Sequence, residues 1–396
     1  MTHPRSQHRR SRIPRGLATG LPTTGMLATG LLCVAMSATG MLLGFSRPAA
    51  AGPDPSAPQQ QPTPLPGAVT APGATVQRVA TGFTFTEGPA ADAAGDVWFT
   101  DVRQSRIHRW RAATDAVALM REQSGGANGL YFDAAGRLVI CEGGNRRMTR
   151  LEADGSLTLL MDGYDGKKLN SPNDLWVAPG GDIYFSDPRY GDAGNVEQDG
   201  MHVYLIPADG RAPLRVTTDL VTPNGLIGTP DGRTLYIADA GARRIWRYTV
   251  AADGMLADKT LFTERGSDGM SLDERGNVYL ANASQIWVHA PDGALLEVIG
   301  VPEAPANLTF GGPDRQTLFI TARTSVYRIA MALRGARMPV EGGGAPTAQP
   351  PATPTPSPSP SPSSTATMSV TEVPRATATP SAPRPSCFLP WAGGRP

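Results

Sequence analysis

Short runs of alternating apolar and polar residues fill the central part of the chain, and most follow a turn rich in Asp and Gly. Examples are VWFTD at 97–101, IYFSD at 183–187 and TLYIAD at 234–239. Alternation after a glycine turn is typical of a β-strand. No segment longer than a turn or two carries an apolar stripe with the 3.6-residue period of a helix. The pattern therefore predicts an all-β domain.

A short polar signature accompanies these strands and returns six times, at intervals of roughly 45 residues. The central residue of each copy is an acid or an amide: Glu87, Asn128, Asn173, Asn224, Asp268 and Asn307. Several short strands in a repeat of this length are typical of a propeller blade. We therefore predict a six-bladed β-propeller. The strand around 76–83 would complete the last blade and close the ring, which removes exposed sheet edges.

Equivalent positions of propeller blades face the same axis, so the six polar residues should surround the mouth of one channel. Carboxylate and amide oxygens suit Ca²⁺, Mg²⁺ or Mn²⁺ and suit zinc less well. The alternative is that Asn-Gly and Asp-Gly pairs only form turns. A shared site is favoured because Glu87 precedes Gly-Pro and Asn307 precedes Leu-Thr, so the polar residue persists where the turn context changes.

Several of these motifs resemble the SMP-30/gluconolactonase family, also known as the regucalcin-like family. The resemblance covers roughly residues 75–330 and includes motifs from all six repeats in order. The motifs that carry it include EGPA at 87–90, LNSPNDLWV at 169–177, GGDIYFSDPRYG at 180–191, TPNGL at 222–226 and SDGMSLD at 267–273.

The resemblance implies a divalent metal ion held by Glu87, Asn224 and Asp268. It places Asn173 beside the metal, either as a ligand or as a contact to the substrate. The expected ion is Ca²⁺, with Mg²⁺, Mn²⁺ or Zn²⁺ as alternatives. Asn128 completes the ring as a candidate substrate contact, although it could equally hold a turn.

The resemblance also implies hydrolysis of a lactone, with a sugar lactone of the gluconolactone type as the expected substrate. The metal would polarise the carbonyl, and Asp268 would act either as a general base on water or as a nucleophile. A phosphotriester hydrolase could use the same site, because a phosphoryl oxygen can replace the carbonyl. The alternative from another class is a propeller that binds a carbohydrate or a protein without chemistry.

Further candidates lie at the ends of predicted strands. Glu142 and Arg146, in CEGGNRR, are candidate contacts to sugar hydroxyls, and the alternative is that they are surface charges. Asp187, in FSDPRYG, matches a motif of the family and is expected to orient a loop. Arg189 and Tyr190 follow it as candidates for the pocket lining. No histidine is placed as a base, which favours Asp268.

The chain has 396 residues and a net charge of +1, which gives no argument for a nucleic-acid partner. Proline is concentrated near both ends and leaves an ordinary globular composition between them. We expect an export signal at 1–51, a Pro/Gln-rich linker at 52–74, the propeller at 75–333 and a disordered Pro/Thr/Ser-rich tail at 334–396.

The predicted export signal places five arginines before a long uncharged stretch, and the alternative is an uncleaved membrane anchor. We therefore expect a monomeric periplasmic, secreted or cell-surface protein, whose tail could attach it to the cell envelope. We expect no disulfide framework from the three cysteines, and we expect Cys141 to be a small core residue.

Overall fold

The structure is a computed structural model that describes residues 68–190 and 196–336. These residues form 26 β-strands and no helix, which confirms the all-β prediction. Within the described ranges, no helix could cross a bilayer. The predicted export signal or anchor at 1–51 lies outside these ranges, as does nearly all of the predicted tail.

Six four-stranded antiparallel sheets form the six blades, as predicted. One strand, β1 (Gln77–Thr81), precedes the first blade. The first blade contains β2 (Thr86–Ala91), β3 (Val97–Asp101), β4 (Arg106–Arg111) and β5 (Ala116–Arg121). The second contains β6 (Ala127–Phe132), β7 (Leu138–Glu142), β8 (Arg147–Leu151) and β9 (Leu157–Met161). A separate two-stranded ribbon follows, formed by β10 (Gly163–Tyr164) and β11 (Lys167–Lys168).

The remaining four blades follow in chain order. The third contains β12 (Leu175–Val177), β13 (Ile183–Asp187), β14 (His202–Ile206) and β15 (Leu214–Thr217). The fourth contains β16 (Pro223–Gly228), β17 (Thr234–Asp239), β18 (Arg244–Val250) and β19 (Leu256–Thr263). The fifth contains β20 (Met270–Leu272), β21 (Val278–Asn282), β22 (Gln285–His289) and β23 (Leu295–Gly300). The sixth contains β24 (Pro305–Gly311), β25 (Thr317–Ala322) and β26 (Ser325–Ala330).

The first strand of the domain closes the ring. It pairs antiparallel with β26, with Gln77 opposite Arg328 and Thr81 opposite Ser325. The prediction that the strand around 76–83 completes the last blade is therefore confirmed. The sixth blade thus takes its fourth, outermost strand from the start of the domain, which ties the two ends of the propeller together.

The packed polypeptide begins before this strand. Val69 is buried in the apolar cluster of the fifth and sixth blades. The Glu297 carboxylate accepts the backbone N–H groups of Val69 and Thr70 at 2.7 and 3.1 Å. Thr70 also forms a bridge with Met331. Residues 68–74, expected to be part of a linker, therefore include a segment that packs on the propeller.

The core lies between neighbouring blades, because each sheet is covered on both faces. The second strands of the first three blades, β3, β7 and β13, are consequently buried at every position. Trp176 and Tyr184 stack within the third blade with ring centroids 5.4 Å apart. Cys141 is buried among apolar side chains, as expected. Each large apolar side chain that is fully buried contributes roughly 1.5–3 kcal/mol.

The first strand of each blade lines the central channel. These six strands contact one another in a closed circle, β2 to β6, then β12, β16, β20 and β24, and back to β2. All of them begin at the same end of the channel, which we call the mouth. The second strand of each blade is antiparallel to the first and therefore ends at the mouth.

Candidate active site

Irregular backbone brings the six signature residues to the mouth. In the first blade, the register between β2 and β3 shifts between Glu87 and Ala90. The same kind of shift occurs near the start of β6, β16 and β24. In the third and fifth blades, Asn173 and Asp268 lie two residues before the strand begins. Because a bulge frees backbone groups from the ladder, these groups can bond to the neighbouring blade.

Backbone hydrogen bonds then join one blade to the next around the mouth. Gly129, which follows Asn128, donates its N–H to the Asn173 carbonyl at 2.7 Å. Gly225, which follows Asn224, donates to the Asp268 carbonyl at 2.8 Å. These bonds fix the relative positions of the signature residues without using their side chains.

Glycine is required after several signature residues because the neighbouring blade is very close. A Cβ atom on Gly225 would lie 2.1 Å from the Asp268 carbonyl oxygen, and one on Gly88 would lie 1.9 Å from the Asn128 carbonyl oxygen. Contacts this short between a side chain and backbone are excluded sterically. The glycines of the Asn-Gly and Asp-Gly pairs therefore allow neighbouring blades to pack closely, in addition to forming turns.

Two predicted ligands make direct contact through their side chains. The Asn224 amide Nδ2 donates a hydrogen bond to Asp268 Oδ1 at 2.7 Å. Glu87 is 3% exposed, and its Oε2 accepts the backbone N–H of Gly88 at 2.9 Å. The structure thus brings Glu87, Asn224 and Asp268 together at the mouth.

In Asn173 and Asn128, only the backbone groups form hydrogen bonds within the described chain. The Asn173 N–H donates to the Ser186 carbonyl at 2.9 Å, and the Asn128 carbonyl accepts the Thr100 hydroxyl at 3.1 Å. Neither side-chain amide has a hydrogen-bond partner among the described residues. Both amides are therefore available to a ligand.

Sequence reasoning missed a third acid, Asp174. It stands after Asn173, where the second and fourth blades have glycine. Asp174 is 8% exposed, and its Oδ1 accepts the N–H of Leu175 at 2.9 Å. Its Oδ2 accepts the amide of Asn307 at 3.3 Å. Because the third and sixth blades face each other across the axis, this bond spans the channel. The signal in the sequence was the aspartate itself, in a position otherwise held by glycine.

The burial of Glu87, Asp174 and Asp268 at the mouth disfavours their ionised forms. Burial raises the pKa of Glu87 well above its usual value, and the charge of Asp268 raises it further. Burial raises the pKa of Asp174 to about 7 and that of Asp268 to about 6. No ion pair joins these acids to an arginine or lysine within the described part of the chain. The mouth is therefore suited to a cation.

The donor set decides which cation could bind. Residues 68–190 and 196–336 contain no cluster of three or more His, Cys, Asp or Glu side chains arranged around one ion position. Carboxylates and amides together are the ligands that Ca²⁺, Mg²⁺ and Mn²⁺ prefer, whereas zinc prefers nitrogen and sulfur. Glu87, Asn173, Asn224 and Asp268 could hold such an ion.

Two of the predicted substrate contacts, Glu142 and Arg146, already form hydrogen bonds with nearby residues of the protein. Glu142 is 2% exposed and accepts hydrogen bonds from the Thr149 hydroxyl at 2.7 Å and from Arg147 Nε at 2.8 Å. Arg146 Nε donates to the Leu169 carbonyl at 2.5 Å. The structure places both residues at the mouth end of the second blade but records no contact between them and the signature residues.

Asp187 holds the loop that leads to the third signature residue. It ends β13 and accepts the backbone N–H groups of Asn170 and Ser171, both at 2.7 Å. Asp101 and Asp239 end the second strands of their blades and accept paired backbone N–H groups in the same way. An acid at this position therefore recurs as a clamp on the loop before the signature.

The histidines of the domain lie in the blades. His108, His202 and His289 belong to β4, β14 and β22. Burial lowers the pKa of each of them. Among the described residues, no histidine hydrogen-bonds a signature residue. The carboxylates are therefore the candidate proton acceptors at the mouth.

These features define a class of protein: a six-bladed propeller with an acid- and amide-lined mouth. The family model described as the SMP-30/Gluconolactonase/LRE-like region matches residues 85–324. The chain belongs to this family, which confirms the resemblance noted from its motifs.

Individual relatives cover most of the propeller. A gluconolactonase from Zymomonas mobilis is 29% identical over 289 residues, which are 64% of this chain and 80% of that protein. The solved structure of a gluconolactonase from Xanthomonas campestris is 33% identical, with a TM-score of 0.62, over 67% of this chain and 92% of that one. The diisopropyl-fluorophosphatase of Loligo vulgaris is 29% identical over 180 residues, which are 40% of this chain and 55% of that protein.

Proposed function

We propose that this protein opens a sugar lactone with the help of a divalent metal ion held by Glu87, Asn173, Asn224 and Asp268. The lactonase class is confirmed by the gluconolactonases among its relatives. The observation that carries the proposal is the meeting of two carboxylates and an amide at the mouth, with Asn224 bonded to Asp268 at 2.7 Å.

The metal fits the chemistry of this site. Buried carboxyl groups that have raised pKa values and no basic partner among the described residues gain most from a nearby cation. When bound, the ion supplies Lewis-acid polarisation of the substrate carbonyl. Oxygen donors favour Ca²⁺ first and also accept Mg²⁺ or Mn²⁺, while zinc fits this set less well.

Asp268 is the residue that we propose to act on the attacking water. The amide of Asn224 holds one carboxylate oxygen, which orients the other. With its pKa raised to about 6, the carboxyl is mostly ionised at pH 7–8 and can accept a proton from water as a general base. The alternative, attack by Asp268 itself on the carbonyl carbon, uses the same atom and the same orientation.

The two available amides are suited to bind the substrate. Asn173 and Asn128 come from neighbouring blades, and their side chains have no other partner among the described residues. An amide can both donate to and accept from a sugar hydroxyl. We propose that Asn128, together with the NH2 group of Asn173 when its oxygen binds the metal, orients the lactone ring against Asp268.

A second candidate substrate class is a phosphotriester. It is favoured by the similarity to the squid diisopropyl-fluorophosphatase. A tetrahedral phosphoryl group presents an oxygen in place of the lactone carbonyl, so the same side chains would serve.

The test is proton release from glucono-1,5-lactone by the purified protein in a pH-stat. The measurement is made before chelation, after chelation and with Ca²⁺, Mg²⁺, Mn²⁺ or Zn²⁺ restored singly. We expect catalysed opening that stops on chelation and returns with at least one ion. Activity that survives complete removal of metal would contradict the metal-dependent mechanism. No activity on any lactone or phosphotriester would favour the propeller that only binds.

A further inference from the structure

One buried hydroxyl group at the mouth has no hydrogen-bond partner among the described residues. Tyr190 lies three residues after Asp187, where β13 ends at the mouth. Its hydroxyl oxygen is buried and makes no hydrogen bond with residues 68–190 or 196–336. Burying a phenol hydroxyl without a hydrogen bond costs free energy of folding. We therefore expect the Tyr190 hydroxyl to find a partner outside the described chain.

The charged residues around this hydroxyl indicate that it lies at the mouth of the channel. The charges of Asp268, Glu87 and Asp239 all act on it, after burial as the main cause of its raised pKa. These three acids belong to the fifth, first and fourth blades, whereas Tyr190 leaves the third. The Tyr190 hydroxyl therefore lies near enough to the mouth for the charges of three other blades to act on it. The group stays protonated at neutral pH and can donate a hydrogen bond.

The position of Asp239 indicates which part of a substrate the phenol meets. Asp239 is 2% exposed and clamps the loop before the fourth signature, where it accepts the N–H groups of Val221 and Thr222 at 3.0 and 2.9 Å. Asp239 ends a second strand and so lies in the wall of the mouth, farther from the axis than the inner strands, and its charge still reaches the Tyr190 hydroxyl. The reacting carbonyl belongs beside Asp268 at the axis, so the wall faces the remainder of the lactone ring.

We propose that Tyr190 is a specificity-determining residue that donates a hydrogen bond to a ring hydroxyl of the sugar lactone. The proposal rests on the lactonase function proposed above. It assigns the preference for a hydroxylated ring to one phenol, separately from the groups that act on the carbonyl.

The test is Tyr190→Phe, which removes the hydroxyl and keeps the ring. Two substrates are compared: glucono-1,5-lactone and the unsubstituted six-membered δ-valerolactone. We expect kcat/KM for gluconolactone to fall roughly three- to tenfold, as the loss of one hydrogen bond predicts. The value for δ-valerolactone should not change, because this substrate has no ring hydroxyl to lose.

Tyr248→Phe is the matched control. Tyr248 lies in β18, is 5% exposed, and also has a buried hydroxyl without a partner in the described chain. It lines a groove near Arg215 and Lys259, away from the signature residues. The control should leave both substrates at wild-type values, so a general effect of deleting a buried hydroxyl would be visible.

Each remaining outcome is decisive. Unchanged kcat/KM for both lactones in Tyr190→Phe would overturn the proposal. An equal fall for both would also overturn it, because the hydroxyl would then act on the reaction or on the fold. If wild-type protein opens neither lactone, the proposed function itself has failed, which the wild-type arm shows before any variant is made. Metal affinity, measured by calorimetry, should be the same in Tyr190→Phe and wild type.

Discussion

At the scale of single residues, the contact between Asn224 and Asp268 determines the behaviour of the site. The amide holds one carboxylate oxygen at 2.7 Å, and the acid is mostly ionised above its pKa of about 6. Asp268→Asn keeps the size of the side chain and removes its basic oxygen. We expect the turnover number to fall by at least about 100-fold, the lower range for general base catalysis.

The measurement is kcat on glucono-1,5-lactone, with circular dichroism to show that the fold is retained. Asp209→Asn is the control, because Asp209 is an exposed acid in the turn between β14 and β15, and its one ion pair within the described chain is with exposed Arg211. It should retain wild-type turnover. An Asp268→Asn variant as active as the control would remove Asp268 from the mechanism.

The sequence could identify the signature residues because a repeat places equivalent residues at equivalent positions. It could not show that Asp174 bonds to Asn307, because that contact joins opposite blades across the axis. It also could not show that the Glu142 carboxylate already accepts hydrogen bonds within the protein. Its partner Thr149 lies on the next strand of the same blade, and only the strand register brings the two together.

At the scale of elements, glycine allows neighbouring blades to approach closely at the mouth. A Cβ on Gly225 would lie 2.1 Å from the Asp268 carbonyl oxygen, and both groups are fixed by backbone. Gly225→Ala must therefore move β16 away from the start of the fifth blade. We expect the free energy of unfolding to fall by about 1–3 kcal/mol, the usual cost of overpacking. Because Asn224 would also shift from Asp268, metal affinity should weaken.

Urea denaturation in the presence of chelator measures the stability effect. The control is Gly180→Ala, in a turn where a Cβ would meet nothing within 4 Å and the backbone is not left-handed. Gly180→Ala should stay within about 0.5 kcal/mol of wild type. Equal stability of the two variants would mean that the mouth accommodates the extra methyl group.

The order of the strands was predictable because alternation and turn residues mark each of them. The small ribbon of β10 and β11 was not predicted, since its two-residue strands carry no apolar pattern. A local signal was present in Asp165-Gly166, which have φ angles of 53° and 74°. Two successive left-handed residues form the tight turn that favours a hairpin. Short-range turn chemistry thus produces an element too short for hydrophobic periodicity to reveal.

At the scale of the whole molecule, the propeller is a scaffold that gathers acids from alternate blades into one place. Glu87, Asp174 and Asp268 come from the first, third and fifth blades. Closure of the ring forces them together, since the six inner strands share one axis. The sequence predicted the convergence of Glu87 and Asp268 from the repeat, but not that of Asp174. It could not predict how far burial would raise the pKa values, because burial depends on how closely the inner strands pack.

The same convergence makes the stability of the metal-free protein depend on pH. A carboxyl whose pKa is higher in the folded state holds its proton there while the unfolded chain has already lost it. Stability from such a group is therefore lost as pH rises from its unfolded value, about 4, to its folded value. For Asp174 the folded value is about 7, so the loss should be nearly complete at pH 8.

Asp174→Asn removes this effect, and it also removes a charge that helps to raise the pKa of Glu87, which changes stability in the same direction. The three histidines have lowered pKa values, so their contribution has the opposite sign. They are the same in both proteins and cancel in the comparison. We expect the variant to gain about 1–3 kcal/mol relative to wild type between pH 5 and pH 8, measured by urea unfolding of metal-free samples. A difference between the two proteins that is constant with pH would show that Asp174 is ionised in the folded state throughout. Restoring the metal at pH 8 should stabilise wild type, because a cation at the mouth offsets the cost of ionising the buried acids.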